Sequence, residues 1–174
     1  VLLVKHLLAN TTDKKERAYL INHFLEQFRG TVYRQTMFAE FELWMNEYAE
    51  KGQTLTADVM CDAYYELNKK YFGDGMAVDK YIALEWARIP HFFYNFYVFQ
   101  YATGFSAAVA IANRILTEGQ SAVDDYKKFL SSGSSTDPIS LLKIAGVDMT
   151  TAKPINDALE LFNELIDELA ELAE

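Results

Sequence analysis

Four residues in one stretch of this chain carry groups able to donate hydrogen bonds to a reacting oxygen. They are His91, Tyr94, Tyr97 and Tyr101, within IPHFFYNFYVFQYATGFSAAVAIANRIL (Ile89–Leu116). Placed on a helical wheel they share an arc of roughly 120°, with Phe92, Phe96 and Phe99 nearly opposite. Phenylalanines need only packing, whereas a buried hydroxyl or imidazole without a partner loses about 1–3 kcal/mol. Four such groups on one arc suit a polar cleft wall that donates to an oxyanion or holds a peptide carbonyl. The same pattern also describes a core margin whose hydroxyls reach water or backbone, as buried tyrosines commonly do. The spacing alone leaves both readings open.

The element expected to position these groups is a single helix. Ile89-Pro90 opens it, because proline's missing N–H has no intrahelical partner at a helix start. No Gly or Pro interrupts it before Gly104, which allows about four turns. Beyond Gly104 come the small residues Ser106, Ala107, Ala108, Ala110 and Ala112, against which another helix can approach closely.

The rest of the chain reads as helices too. Asn10 to Asp13 supplies N-cap candidates for a helical pattern through Phe28, and Gly30 is the one weak point before the period resumes from Val32 to Ala49. One long bent helix or two in tandem both fit. Lys51-Gly52-Gln53 ends this region, and Thr54 to Asp58 caps a helix that stops at Gly73-Asp74-Gly75. Asp79 begins a short helix through Arg88. After the aromatic segment come a short helix from Ser121 to Leu130, the loop SSGSSTDP (Ser131–Pro138), and a brief helix from Ile139 to Ala145. A last amphipathic helix runs from the Thr151–Pro154 region to Glu174, with Leu159, Phe162, Ile166 and Leu169 as its apolar face. No period-2 run and no Asn-Gly hairpin signals a strand. The expected architecture is all-α, a single irregular multi-helix domain of about seven or eight helices.

Composition narrows the function classes. The 174 residues are 51% hydrophobic, 24% charged and 14% aromatic, a globular balance able to bury a core. A formal charge of −9 without a basic stripe argues against nucleic acid. Much of the acid lies in the last helix, at Asp157, Glu160, Glu164, Asp167, Glu168, Glu171 and Glu174, and reads as a solvated face. No apolar run is long enough to span a membrane. Cys61 stands alone, so no internal disulfide can form, which fits a reducing compartment; the thiol reads as a small core residue. Because the first residue is Val and VLLVKHLLA reads as a helix in progress, the chain is expected to be a piece of a longer one.

Most catalytic signatures are absent. The histidines, His6, His23 and His91, are too scattered for an i, i+4 zinc pair, and there is no H-E-x-x-H or C-x-x-C. Paired E-x-x-H elements, nucleophile elbows and phosphate loops are missing as well. SSGSSTDP can offer backbone N–H groups to an anion, but such Ser/Gly stretches are far more often plain loops, and Asp124-Asp125 reads as a surface pair.

Three segments together carry a family resemblance: FRGTVYRQTMFAEFE (Phe28–Glu42), IPHFFYNFYVFQYATGFSAA, and FLSSGSSTDPISLLKIAGVDMT (Phe129–Thr150). They resemble the C-terminal part of oligoendopeptidase F, a zinc metallopeptidase related to thimet oligopeptidase, across nearly the whole chain. The resemblance implies the helical lobe of a zincin-like oligopeptidase with a channel for oligopeptides, in the cytoplasm. It implies zinc in the full-length enzyme, held upstream of Val1, so that residues 1–174 contribute no metal ligand. The partners implied are oligopeptide substrates and the N-terminal part of the same polypeptide. It also implies that His91 and Tyr101 are catalytic, stabilising the oxyanion, and that Tyr94 and Tyr97 bind substrate; in such a channel the glycine and hydroxyls of SSGSSTDP suit a wall loop that adjusts to peptide backbones. Alternatives from other classes are a non-catalytic α-helical module holding a peptide or small ligand in the His/Tyr groove, and a helical domain that only supports oligomerisation.

Overall fold

The computed structural model describes residues 1–173, so Glu174, placed by the sequence in the last helix, lies outside the described residues. Among these residues the chain is all-α, without strands. Eight α-helices follow in order: α1 (Leu2–Asn10), α2 (Lys14–Phe28), α3 (Arg34–Glu50), α4 (Ala57–Phe72), α5 (Phe99–Glu118), α6 (Gln120–Ser131), α7 (Pro138–Ile144) and α8 (Lys153–Ala173). A π-helical turn, Arg29–Tyr33, joins α2 to α3, and two 3-10 segments, Lys80–Arg88 and Pro90–Phe93, precede α5. The weak point at Gly30 lies in this π-helical turn.

Side-chain caps set several of the starts. Asp13 accepts the N–H groups of Lys15 and Glu16, both at 3.0 Å, and Thr56 accepts that of Val59 at 3.3 Å. Asp79 takes Tyr81 N–H at 2.8 Å and Asp137 takes Ser140 N–H at 2.9 Å. Each satisfies a donor that the first turn of a helix leaves unpaired. From the expected cluster Asn10–Asp13, only Asp13 acts as the cap.

The chain divides into two compact units, one of Val1–Arg29 with Thr103–Glu174 and the other of Gly30–Ala102. In the first, α2 packs along α8 and against α1, and α6 packs on α7. Its core centres on Phe28, whose ring lies 5.2 Å from Phe24, 4.9 Å from Phe105 and 5.4 Å from Phe162 between centroids. Arg17 of α2 pairs with Glu168 of α8 and donates to the Leu8 carbonyl, tying α1, α2 and α8 together. Of the expected apolar face of α8, Leu159, Phe162 and Leu169 are half-buried and only Ile166 is exposed. Ala158 and Leu165 are buried while Ile166 is 42% exposed, because contact of Phe162 with Phe28 turns the packed face toward positions 158, 162 and 165.

In the second unit α3, α4 and the 3-10 segment Lys80–Arg88 pack together. Met37, Phe38, Phe41, Met45, Tyr64, Ile89, Phe92 and Val98 form its core. Phe41 stands edge-on to Tyr64 and to Phe92, at 5.0 and 5.3 Å. Glu85 is the polar hub: it accepts from Tyr64 Oη at 2.8 Å, Arg34 Nη2 at 2.6 Å and Arg88 Nη2 at 2.5 Å. Burial raises the Glu85 pKa, but the hydrogen bonds from Arg34 and Tyr64 and the Arg34 charge leave it below 4.5. Cys61 accepts the Trp86 indole N–H at 3.4 Å, as a half-buried packing residue.

Phe28→Ala is expected to lower stability by about 3–5 kcal/mol, because the ring is fully buried among three others; denaturant unfolding of the protein checks it. Glu85 tests the other unit. Its depressed pKa means that its contribution is present above the unfolded value and lost as pH falls through the folded one. Stability should therefore drop with acid below pH 4.5, and Glu85→Gln should flatten that part of the acid-unfolding curve.

Candidate functional site

The segment that carries the four hydrogen-bonding groups is not one helix. Pro90–Phe93 is a single 3-10 turn, Tyr94–Phe96 bends, and α5 begins only at Phe99. Asn95 and Phe96 have φ of 53° and 59°, a left-handed conformation in which a right-handed helix cannot continue. Asn adopts it readily, while a bulky side chain such as Phe does so at a cost on the order of 1–3 kcal/mol. The expected four-turn helix is thus broken in its middle, and the wheel placing Phe92, Phe96 and Phe99 on one packed face does not hold. Phe92 is buried, but Phe96 and Phe99 are 41% and 48% exposed.

The break has an identifiable partner. Glu42, on α3 and 1% exposed, accepts the Phe96 N–H at 2.7 Å. A donor that would point to a carbonyl one turn back in a helix is instead taken by a carboxylate from another element. Burial raises the Glu42 pKa, and the Phe96 N–H partly offsets that. Sequence reasoning missed this residue, although a signal was present: Glu42 lies one turn from both Phe38 and Met45, on the buried face of α3. A buried carboxylate requires a partner.

Despite the break, the four groups meet. The His91 ring stacks on Tyr97 at 5.8 Å between centroids and lies edge-on to Tyr94 and Tyr101 at 5.6 and 6.0 Å. Tyr97 stands edge-on to Tyr94 at 6.1 Å and to Tyr101 at 5.3 Å. Tyr101 Oη lies 3.2 Å from Tyr97 Oη, to which it donates, and 3.5 Å from His91 Nε2. The fold that unites them is a 3-10 turn carrying His91, a reversal carrying Tyr94 and Tyr97, and the first turn of α5 carrying Tyr101. All three tyrosines are exposed, so the rings form a surface cluster and not a packed stripe.

The donors can be counted. A hydroxyl has one hydrogen, so Tyr101 cannot donate to both neighbours. The 3.5 Å approach to His91 Nε2 takes its hydrogen from whichever partner the imidazole tautomer makes the donor. A carbonyl oxygen arriving here would therefore meet a relay of donors that can be redirected toward growing negative charge. The bond to Tyr97, followed by burial and the neighbouring phenol's charge, holds Tyr101 above the ordinary 10.0, in the neutral form that donates.

Other candidates do not join this cluster. His23 lies 3.1 Å from Gln27 on α2. In SSGSSTDP the Ser131 and Ser132 hydroxyls donate to the Lys128 carbonyl, and Asp137 caps α7. Asp125 meets Arg114 at 3.2 Å and Asp124 accepts from Gln120 at 2.8 Å. Among the described residues no three His, Cys, Asp or Glu side chains converge as a metal site requires. The residues here do not fit a zinc centre.

A protein-family model described as "Peptidase family M3" matches residues 1–161. The chain belongs to peptidase family M3. This M3 chain is 58% identical over 171 residues to Oligopeptidase PepF of Bacillus subtilis (strain 168), a match covering 98% of the chain and 26% of that protein. It is 44% identical over 173 residues to the chromosomal Oligoendopeptidase F of Lactococcus lactis subsp. cremoris, covering 99% and 29% respectively. Its fold superposes on the crystal structure of oligoendopeptidase-F from Enterococcus faecium with a TM-score of 0.94 and 48% identity, covering 98% of this chain and 33% of that one. The M3 chain therefore spans between about a quarter and a third of the length of these relatives.

In the M3 chain, the Tyr101–Tyr97 bond makes a spectroscopic prediction. Tyr101 should ionise above 10.0, seen as the tyrosinate absorbance missing from Tyr101→Phe. Tyr97→Phe removes the acceptor and should bring Tyr101 down toward that value.

Proposed function

We propose that the polypeptide containing this chain is a zinc-dependent oligoendopeptidase that hydrolyses internal bonds of short peptides, and that residues 1–174 are its C-terminal helical part. The relatives named oligopeptidase and oligoendopeptidase F support this, together with the family match over residues 1–161. We place it in the cytoplasm, a reading supported by the single unpaired Cys61. Among the described residues, no helix is long and apolar enough to cross a membrane. Its partners are oligopeptides and the N-terminal remainder of the same polypeptide; zinc ligands come from outside this chain, and when bound there the metal supplies Lewis acidity.

This chain supplies the donors. The carrying observation is the exposed relay His91–Tyr101–Tyr97, with Oη–Oη at 3.2 Å and Oη–Nε2 at 3.5 Å. As a peptide carbonyl becomes tetrahedral, its oxygen gains charge, and Tyr101 Oη–H turns from Tyr97 toward it. His91, whose Nε2 lies 3.5 Å from Tyr101 Oη, stabilises the hydroxyl as it polarises. Tyr94 and Tyr97 line the approach with their rings and hold the peptide backbone. A donor that strengthens only in the transition state raises kcat and leaves ground-state binding nearly unchanged.

In the full-length polypeptide, Tyr101→Phe is therefore expected to lower kcat on a quenched fluorescent oligopeptide about a hundredfold, with little change in KM. An unchanged kcat would remove Tyr101 from the transition state and leave the four rings as peptide contacts alone.

A further inference from the structure

Two consecutive non-glycine residues in the left-handed region, as at Asn95 and Phe96, persist only where the surroundings over-determine them. They lie between His91 on one side and Tyr97 and Tyr101 on the other, so the whole relay depends on the reversal they make. Core packing of Phe92 and Val98 anchors the chain on either side of the reversal, and within it the Phe96 N–H is held by a side chain from another element. Glu42 belongs to the middle of α3, on the face that presents the core residues Phe38, Phe41 and Met45. An apolar side chain would pack on such a face without the cost of burying a carboxylate. The carboxylate instead places an acceptor at a fixed point, 2.7 Å from the Phe96 N–H.

We propose that Glu42 is a positioning residue of this site: by holding the Phe96 N–H from a buried station on α3, it fixes the left-handed turn that brings His91, Tyr97 and Tyr101 into one relay. This rests on the functional reading of the relay given above. Glu42 touches no reacting atom in it; it acts through the backbone. Its partner atom is an oxygen acceptor, so the role belongs to the acceptor and not to the negative charge. Gln retains such an oxygen in nearly the same shape, whereas Met fills the space and accepts nothing comparable.

The test uses the full-length polypeptide with Glu42→Gln and Glu42→Met, after circular dichroism and thermal unfolding establish that both fold. Three readouts are followed: hydrogen exchange at the Phe96 amide, the ionisation of Tyr101 through isotope-labelled tyrosine rings, and kcat against KM. Glu42→Met is expected to speed Phe96 exchange and to lower kcat, each about tenfold or more, with KM little changed. It should also bring Tyr101 down toward 10.0, because the Tyr97 bond that raises it is lost. Glu42→Gln should stay near the parent in all three. The proposal is overturned if Glu42→Met leaves the Phe96 amide and Tyr101 as they were. It is equally overturned if Glu42→Gln falls with Glu42→Met, since charge would then be what matters. Should Glu42→Met not fold, Asn95→Ala makes the left-handed turn more strained without touching α3. It must lower Tyr101 in the same direction, and no movement overturns the proposal. The two spectroscopic readouts need no turnover, so failure of the oxyanion role, seen in Tyr101→Phe alone, remains distinguishable from failure of the clamp.

Discussion

A right-handed helix cannot pass through two successive left-handed residues, and the site of this chain is built on that constraint. The backbone from Pro90 to Glu118 would otherwise run as one rod, displaying its groups in sequence along an axis. At Asn95 and Phe96 it reverses instead. The reversal converts spacing along a rod into proximity: His91 and Tyr101, ten residues apart, approach to 3.5 Å. Within the reversal the Phe96 N–H is met from another element, by the Glu42 carboxylate.

A second polar hub supports the same region from the N-terminal side. Glu85 gathers Arg34, Arg88 and Tyr64, joining α3, α4 and the 3-10 segment that leads into Ile89-Pro90. Two buried or nearly buried carboxylates thus bind α3 to its neighbours, Glu42 to the aromatic segment and Glu85 to the 3-10 segment before it. Burying such groups is unfavourable by itself, and both are accommodated because each meets a donor. Between them the apolar core of Phe38, Phe41, Tyr64 and Phe92 supplies the bulk of the packing.

The chemistry this chain can carry out is narrower than that of a complete enzyme. Hydroxyls and an imidazole on one surface can donate to an oxygen that acquires charge, and rings beside them can line a peptide. Among the described residues no set of three metal ligands converges. The chain spans about a quarter to a third of its relatives' length.

The amino-acid sequence was sufficient for the all-α class, for most helix boundaries, and for the family. Caps at Asp13, Thr56, Asp79 and Asp137 and stops at Gly52 and Gly73 are local, and local signals are what a sequence carries openly. It also singled out the four residues that meet, although for a reason that the structure replaces. The wheel assumed a continuous helix, and what unites the rings is a break in one. Asn95 hinted at that break through its tolerance of positive φ, but Phe96 did not, since its conformation is imposed by a carboxylate 54 positions away. Glu42 was legible as a charge on an apolar face and not as the partner of a particular N–H. The same holds for α8, where Phe162 against Phe28, and not hydrophobicity along the helix, decided that Leu165 and not Ile166 is buried. Periodicity records which faces are apolar; which atoms they meet depends on contacts distant in sequence, and those exist only once the chain has folded.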